Sequence, residues 1–206
     1  MAEKPKTNKR GLFLMGVGLL LLLGAGITTY VHNVQEKQAG IRSAEALVLL
    51  QAKIPGYGQA GNDAVENMLK VFSLDAEESL TIEDAAYIGI LEIPSLGLTL
   101  PIQSDWSYPN LRLSPCRYRG SAKNSDLIIA GHNYPAHFGY FYRLNIGDKV
   151  RFTDVLGNVY DYQVSGLETL ESTDVKKMTS GNWDLTLFTC TTGGMTRVTV
   201  RCRLAE

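Results

Sequence analysis

A cysteine, a histidine and an arginine are the residues in this chain best suited to nucleophilic catalysis. Cys190 ends the segment Thr-Leu-Phe-Thr-Cys at 186–190, and Arg197 follows at the start of an alternating stretch. His132 lies well upstream, in Ala-Gly-His-Asn at 130–133, directly after a short apolar run. A thiol is a good nucleophile only as the thiolate, so it needs a basic or cationic neighbour. Histidine as acid or base and arginine beside an oxyanion would complete a site for acyl transfer.

Two other histidines compete with His132 for the acid/base role. His137 follows in the same loop, within an irregular Tyr-Pro-Ala-His-Phe-Gly segment at 134–139, and is expected at the rim of the domain. His32 lies beside the long apolar segment and is expected at a membrane interface. Only His132 follows an apolar strand directly, which fixes its position and favours it.

Other active-site patterns fit this chain poorly. It has no Gly-x-x-x-x-Gly-Lys-Ser/Thr loop, no His-Glu-x-x-His and no Cys-x-x-Cys pair. Papain-like enzymes place the cysteine before the histidine, the reverse of the order here. A caspase-like enzyme has the right order, but its Gln-Ala-Cys-x-Gly segment is missing.

The N-terminus predicts a membrane anchor. Residues 11–31 carry no charge, and at about 1.5 Å per residue a helix of this length spans a bilayer core of about 30 Å. Four basic residues precede it in the tail 1–10, which predicts a cytoplasmic tail and an external C-terminal part. A cleaved secretory signal is the alternative, with a small-residue site at 24–26, but the apolar run continues beyond that site. The net charge of −1 argues against nucleic acid as a partner.

Residues 32–85 are predicted to form a helical juxtamembrane spacer. A helical stripe of apolar residues runs through 33–54 and ends at Pro55-Gly56, and a second short helix is predicted at 64–72. From residue 86 the pattern changes to seven or eight short strands separated by Gly- and Pro-rich turns. The strand candidates lie at 88–93, 98–102, 127–130, 149–154, 159–170, 185–189 and 197–203. Such a series predicts a mainly β domain at 86–206, in the form of a closed or nearly closed barrel.

The three cysteines form an odd set for an external domain. Cys190 is expected to be a free reactive thiol, while Cys116 and Cys202 could form a disulfide or be two buried thiols. If Arg197 faces a groove, the period of two puts Val198, Val200 and Cys202 on the opposite, core face. We therefore favour two buried thiols.

The Thr-Leu-Phe-Thr-Cys segment, the upstream Gly-His and the downstream arginine make the chain resemble the sortases, membrane-anchored cysteine transpeptidases of Gram-positive cell surfaces. The resemblance covers about 86–206 and does not extend to 32–85. It implies an eight-stranded sortase-type β-barrel with Cys190, His132 and Arg197 as catalytic residues. Arg201 and Arg203 share the strand face of Arg197, but family members place the essential arginine at the start of the strand.

The resemblance also implies the reaction and its partners. Cys190 would cleave a C-terminal sorting motif, LPxTG-like or a variant, on secreted proteins. The acyl group would pass to an amine of a peptidoglycan precursor or a pilin. Thr189 and Thr191, which flank the nucleophile, are candidates for substrate binding, and ordinary strand threonines are the alternative.

The sortase class stays open at this stage. The segment between Leu170 and Asp184 is short, unlike the long helical insertion expected of class B enzymes. The absence of an Asp-Pro-aromatic motif argues against a pilin-type class C enzyme. The helical region before the barrel is longer than a minimal class A or class D enzyme needs. No cofactor is expected. Calcium, which some class A enzymes bind, would have to use Glu168, Glu171 and Asp174, whose spacing matches no ligand pattern. A membrane-anchored cysteine endopeptidase and a non-enzymatic barrel that binds peptide or wall polymer are the alternative functions.

Overall fold

The computed structural model describes residues 9–58, 79–82 and 84–205. Its first element, α1 (Lys9–Lys53), contains both the uncharged segment and the first part of the predicted spacer. The sequence predicted two helices here. They are continuous because no proline or glycine interrupts residues 27–39. The helix ends just before Pro55, as predicted, and the predicted helix at 64–72 lies outside the described residues.

The apolar part of α1 is long enough to cross a membrane and is exposed along its length. After it, one stripe of α1 is buried against the barrel. The buried stripe consists of Ala39, Ser43, Ala46 and Leu50, with Ile54 just beyond the helix. These positions recur every three or four residues, as expected for one face of a helix.

Nine strands, two short helices and two 3-10 turns make up the rest of the described chain. The strands are β1 (Leu80–Ile82), β2 (Ala85–Ile93), β3 (Leu98–Gln103), β4 (Cys116–Arg119), β5 (Leu127–Ala130), β6 (Lys149–Asp154), β7 (Val159–Glu171), β8 (Leu185–Cys190) and β9 (Thr196–Leu204). The short helices are α2 (Tyr108–Leu111) and α3 (Val175–Thr179), and the 3-10 turns are Pro94–Leu96 and Phe141–Arg143. All the strand candidates named from the sequence are present, with ends that differ by at most three residues.

The strands form one sheet in the order β1-β2-β3-β4-β5-β8-β9-β7-β6. Pairing of β2 with β6 closes strands β2 to β9 into an eight-stranded barrel, which confirms the predicted fold. β1 is an additional short strand on the free part of β2. The β3–β4 and β5–β8 pairs are parallel and the others are antiparallel.

The barrel interior is a continuous apolar core. Every strand from β2 to β9 except β4 contributes a buried side chain to it, together with Phe138 and Phe141 from the loop after β5. Leu185 and Leu187 of β8 point inward, and so do Val200 and Cys202 of β9. The residues between them therefore face outward, as the period of two requires.

All three cysteines are free thiols in the structure, as favoured from the sequence. Cys202 lies in the barrel core, whereas Cys116 packs with Leu111 and Ala130 in a separate cluster outside it. Burial raises the pKa of each of these two thiols to about 12. Neither is therefore a nucleophile at neutral pH, and Cys190, which is half-buried, is the accessible thiol among the three.

Candidate active site

Cys190 and Arg197 are direct cross-strand partners at the end of the β8–β9 pair. Side chains of directly opposed residues lie on the same face, with Cβ atoms about 5 Å apart. That face is the outer one, because Leu187 and Val200 of the same two strands point into the core. The thiol and the guanidinium predicted from the sequence are thus neighbours on the outside of the barrel.

His132 lies at the same end of the neighbouring strand. β5 and β8 run parallel, with Ala130 paired to Phe188, and the Gly131 amide donates to the Phe188 carbonyl at 3.0 Å. His132 and Cys190 each follow that pair by two residues, on strands that are about 4.8 Å apart. The register therefore brings the three predicted catalytic residues to one edge of the barrel.

Steric contact with Phe138 explains why residue 131, directly before His132, is a glycine. A Cβ at Gly131 would lie 2.4 Å from a ring carbon of Phe138, which is fully buried in the core. Any larger residue would have to displace either that ring or the chain that leads into His132. This close approach explains the Gly-His pair in the sequence.

The Arg197 guanidinium is held by the loop that joins Cys190 to β9. Its Nη1 donates to the carbonyl oxygens of Gly194 at 2.8 Å and Thr196 at 3.1 Å. Within the described part of the chain Arg197 forms no ion pair with a carboxylate. Its positive charge and its other nitrogens thus remain available on the face that carries Cys190.

The His132 imidazole is half-buried and stacks on Tyr134. Their ring centroids are 4.6 Å apart and the planes differ by 28°. Burial lowers the pKa of His132 below its usual value, and the nearby positive charges of Arg112 and His32 lower it further. The neutral imidazole is therefore the favoured form at neutral pH. Sequence reasoning missed both Tyr134 and Arg112, because neither belongs to the motif.

His137 is not at the rim, as the sequence analysis expected, but fully buried. Burial lowers its pKa to about 4, and the positive charge of His132 adds to the effect. The nearby Leu113 backbone acts in the opposite direction and raises the pKa. Neither ring nitrogen of His137 has a hydrogen-bond partner among the described residues. The expectation was wrong because the loop folds back so that Phe138, the next residue, enters the core.

The two threonines predicted to bind substrate have different positions. The Thr189 side chain is on the inward side of β8, opposite to Cys190, and its buried hydroxyl has no partner among the described residues. Thr191 is occupied within the Cys190–Arg197 loop. Its hydroxyl lies 2.9 Å from that of Thr196, and its amide donates to the Thr196 carbonyl at 3.0 Å. The structure therefore brings neither threonine to the outer face as a free donor.

Arg201 has a structural environment that the sequence did not reveal. It is almost fully buried on the outer face of β9, where Nε donates to a Glu168 oxygen at 2.7 Å and Nη1 donates to the Thr186 hydroxyl at 2.9 Å. Nη1 and Nη2 also donate to the carbonyls of Met178 and Lys177 in α3, at 2.8 and 2.6 Å. Arg201 thus connects the β7–β8 loop to the sheet through hydrogen bonds. Arg203, on the same strand face, lies over the Trp183 ring at 4.5 Å.

Aromatic side chains line the outer face on the other side of Cys190. Phe188 contacts Tyr118 edge to face at 5.4 Å, and Tyr118 contacts the exposed Trp106 at 6.0 Å. Phe138, by contrast, is in the core. The outer face near the thiol is therefore apolar on this side and cationic at Arg197.

The acidic residues considered for calcium do not assemble into a site. Glu168 bonds to Arg201 and Asp174 pairs with Lys177 at 2.7 Å. Among the residues that the structure describes, no group of three or more His, Cys, Asp or Glu side chains converges on one point.

Comparisons with a family model and with solved structures agree on one family. The family model of the sortase domain matches residues 91–205. A search of curated proteins gives no match. Solved structures that resemble the chain include sortase C1 of Streptococcus agalactiae, with 22% identity, a TM-score of 0.59 and coverage of 79% of this chain and 98% of that one.

Two further solved structures show the same fold. The Clostridium perfringens sortase D5 transpeptidase is 19% identical, with a TM-score of 0.55, and covers 68% of this chain and 89% of its own. Sortase A of Listeria monocytogenes is 25% identical, with a TM-score of 0.51, and covers 58% of this chain and 88% of its own. Because the family match spans more than half of the chain and coincides with the barrel that carries Cys190, His132 and Arg197, the chain belongs to the sortase family of cysteine transpeptidases.

Proposed function

We propose that this sortase is a membrane-anchored transpeptidase in which Cys190 is the nucleophile, His132 the acid/base and Arg197 the oxyanion partner. The observation that carries the proposal is the direct pairing of Cys190 with Arg197, with His132 at the same end of the adjoining strand. His132, from far upstream in the sequence, thus lies at the same edge of the barrel as the Cys190–Arg197 pair. Acyl transfer through a thiol needs a nucleophile, a proton acceptor and a donor to the oxyanion, and these three side chains can supply them.

The first half of the reaction forms a thioester. The neutral His132 imidazole accepts the thiol proton as Sγ of Cys190 attacks the carbonyl carbon of the scissile peptide bond. Arg197 donates to the oxygen that becomes negative in the tetrahedral intermediate. The carbon–nitrogen bond then breaks, and His132 returns the proton to the leaving amine.

The second half transfers the acyl group. A primary amine attacks the thioester carbonyl, His132 accepts its proton, and the carbon–sulfur bond breaks to release an amide and the Cys190 thiolate. Proton transfer from His132 then restores the thiol. The acyl donor is a secreted protein with a C-terminal sorting motif, LPxTG-like or a variant, and the amine belongs to a wall precursor or a pilin.

The proposed topology places the catalytic barrel outside the cell. The apolar part of α1 is the single membrane span, and the basic residues of the tail 1–10 keep that tail in the cytoplasm. Substrates that are themselves anchored in the membrane are then concentrated near the enzyme. Thr189 and Thr191, which flank the nucleophile in the sequence, remain candidates for substrate binding only if their hydroxyls are released from the positions described above.

The test uses the full chain in detergent micelles with a library of sorting peptides, each assayed with and without a glycine-based or lysine-based amine. We expect an amide adduct when the amine is present. Replacement Cys190→Ala should reduce turnover by more than about 1000-fold, and the matched control Cys116→Ala should keep turnover if the fold is retained.

The same experiment separates the alternatives. Formation of the free acid alone, even with abundant amine, would show a cysteine endopeptidase. If no peptide is turned over and a thiol-reactive probe does not label Cys190 selectively, the barrel is a binding module. Labelling that is slowed by His132→Ala supports the pairing of thiol and imidazole.

A further inference from the structure

All three histidines of the chain contact the same side chain, Tyr134. The His132 ring stacks on it at 4.6 Å, the His32 ring meets it edge to face at 5.4 Å, and the His137 ring is tilted at 5.7 Å. Tyr134 itself is buried. Two of these contacts are within one loop, but His32 comes from α1, so Tyr134 joins that helix to the candidate acid/base.

The backbone fixes Tyr134 within the loop after β5. Its carbonyl accepts hydrogen bonds from the amides of His137 at 2.9 Å and Gly139 at 2.8 Å. The His132 carbonyl accepts from the Phe138 amide at 3.1 Å. The loop is thus a closed turn anchored by Phe138 in the core, and Tyr134 cannot move away without breaking it.

The α1 helix contacts this loop at a second point. A Cβ at Gly40 would lie 3.3 Å from the Cβ of Ala136, and the adjacent Ala39 is fully buried. Gly40 is two helical turns beyond His32, so the loop spans a length of the helix rather than touching it once. The small residues allow the close approach that brings the His32 ring to Tyr134.

We propose that Tyr134, supported by His32 of α1, is a positioning residue that holds the His132 imidazole in the orientation needed for proton transfer. This inference rests on the proposed acid/base role of His132. An imidazole on a loop rotates about two side-chain bonds, and proton transfer requires its nitrogens to align with both the thiol and the amine. A stacked ring restricts that rotation. The helix that carries the membrane anchor is then also a wall of the active site.

The charged groups around the stacked His132 and Tyr134 rings make the pKa of His132 a second measurement, independent of the reaction rate. Arg112 and His32 act on His132, and Glu36 and Arg112 act on Tyr134. Loss of the Tyr134 ring opens His132 to water, and loss of His32 removes one neighbouring positive charge. Both changes should raise the pKa of His132 toward its ordinary value. A residue with a merely structural role elsewhere would not change that titration.

The test compares four variants and two control variants of the full chain in detergent micelles, with peptide and amine as substrates and histidine-labelled NMR to follow the three imidazoles. Tyr134→Leu should lower kcat by about tenfold or more with little change in KM, and Tyr134→Phe, which keeps the ring, should restore kcat. His32→Ala should lower kcat by about threefold or more, and His32→Phe should restore most of it. Tyr142→Leu and Asn33→Ala, at exposed positions, are the matched controls.

The His32 pair keeps the test decisive if Tyr134→Leu unfolds, because His32 is an exposed residue although its ring contacts Tyr134. The inference is overturned if His32→Ala and Tyr134→Leu leave both kcat and the His132 titration as in the unmodified protein. It is also overturned if Tyr134→Phe is as impaired as Tyr134→Leu. A fully active His132→Ala would instead contradict the proposed function, so the two failures are distinguishable.

Discussion

Two arginines on one strand face show how environment separates residues of the same type. Arg197 and Arg201 both point outward from β9. Arg201 is buried, and its guanidinium donates to a carboxylate, a hydroxyl and two carbonyls. Among the described residues, Arg197 bonds only to the carbonyls of Gly194 and Thr196, so part of its guanidinium is free beside Cys190. Arg201 is therefore committed to the structure, whereas Arg197 is available for chemistry.

Replacement Arg197→Lys should therefore be severe although it keeps the charge. Lysine lacks the planar fork that can bind two loop carbonyls and an oxyanion at once. We expect kcat for amide formation to fall by about 100-fold, with KM changed by less than about threefold, because the contact strengthens in the transition state. Steady-state kinetics with one peptide and one amine measure it, and Arg203→Lys is the control. A rate like that of the unmodified protein would remove Arg197 from the mechanism.

At the scale of elements, the β7–β8 loop depends on one buried side chain. α3 has five residues, too few to be stable alone. Its Lys177 and Met178 carbonyls accept from Arg201, and Met178 is buried. The loop begins beside the active site, because Leu170 pairs with Arg197 and the Ser172 amide donates to the Met195 carbonyl at 3.2 Å. The position of this loop thus depends on a residue that never touches Cys190.

Arg201→Met should destabilise the barrel and loosen the loop. It leaves the Thr186 hydroxyl and two carbonyls without their donor, which we expect to cost about 2–4 kcal/mol of unfolding free energy. Urea unfolding followed by tryptophan fluorescence gives the free energy, and proteolysis between residues 172 and 184 reports on the loop. Arg203→Met, which loses only the contact over Trp183, is the matched control. Equal stability of the two variants would show that the buried hydrogen bonds contribute little.

At the scale of the whole molecule, α1 joins the apolar segment, which is long enough to cross a membrane, to the edge of the barrel that carries the candidate site. His32 follows the uncharged segment directly and contacts Tyr134, which stacks on His132. The candidate site therefore lies at the end of the barrel nearest to the apolar helix. This position fits the proposed function, in which the substrates are anchored in the same membrane as the enzyme.

The stability of the whole barrel should depend on pH through His137. Its pKa is about 4 in the folded protein, against an ordinary value of 6.5, so the unfolded chain binds the proton more readily. The unfolding free energy should have its full value above pH 6.5 and should fall by about 3 kcal/mol as the pH drops to 4. His137→Leu should remove most of that slope, whatever its effect on stability at pH 7. Chemical unfolding at several pH values measures both, and an unchanged slope would contradict the assignment.

Much of this protein follows from its sequence alone. The apolar segment and the basic tail predict the membrane helix, since bilayer thickness sets the length of an uncharged helix. The period-two pattern and the turn residues predict the strands of the barrel. Cys190, His132 and Arg197 could be selected because each stands at a strand end, where local pattern fixes position.

Only the tertiary structure decided the contacts between distant segments. Burial of His137, the approach of His32 to Tyr134 and the bonds of Arg201 to α3 all join residues far apart in the chain. No local pattern encodes them, since they depend on how the β5 loop, α1 and the β7–β8 loop fold onto the barrel. The sequence therefore predicts the groups for the proposed chemistry, whereas the packing of these three segments determined the burial of His137, the surroundings of His132 and the bonds of Arg201.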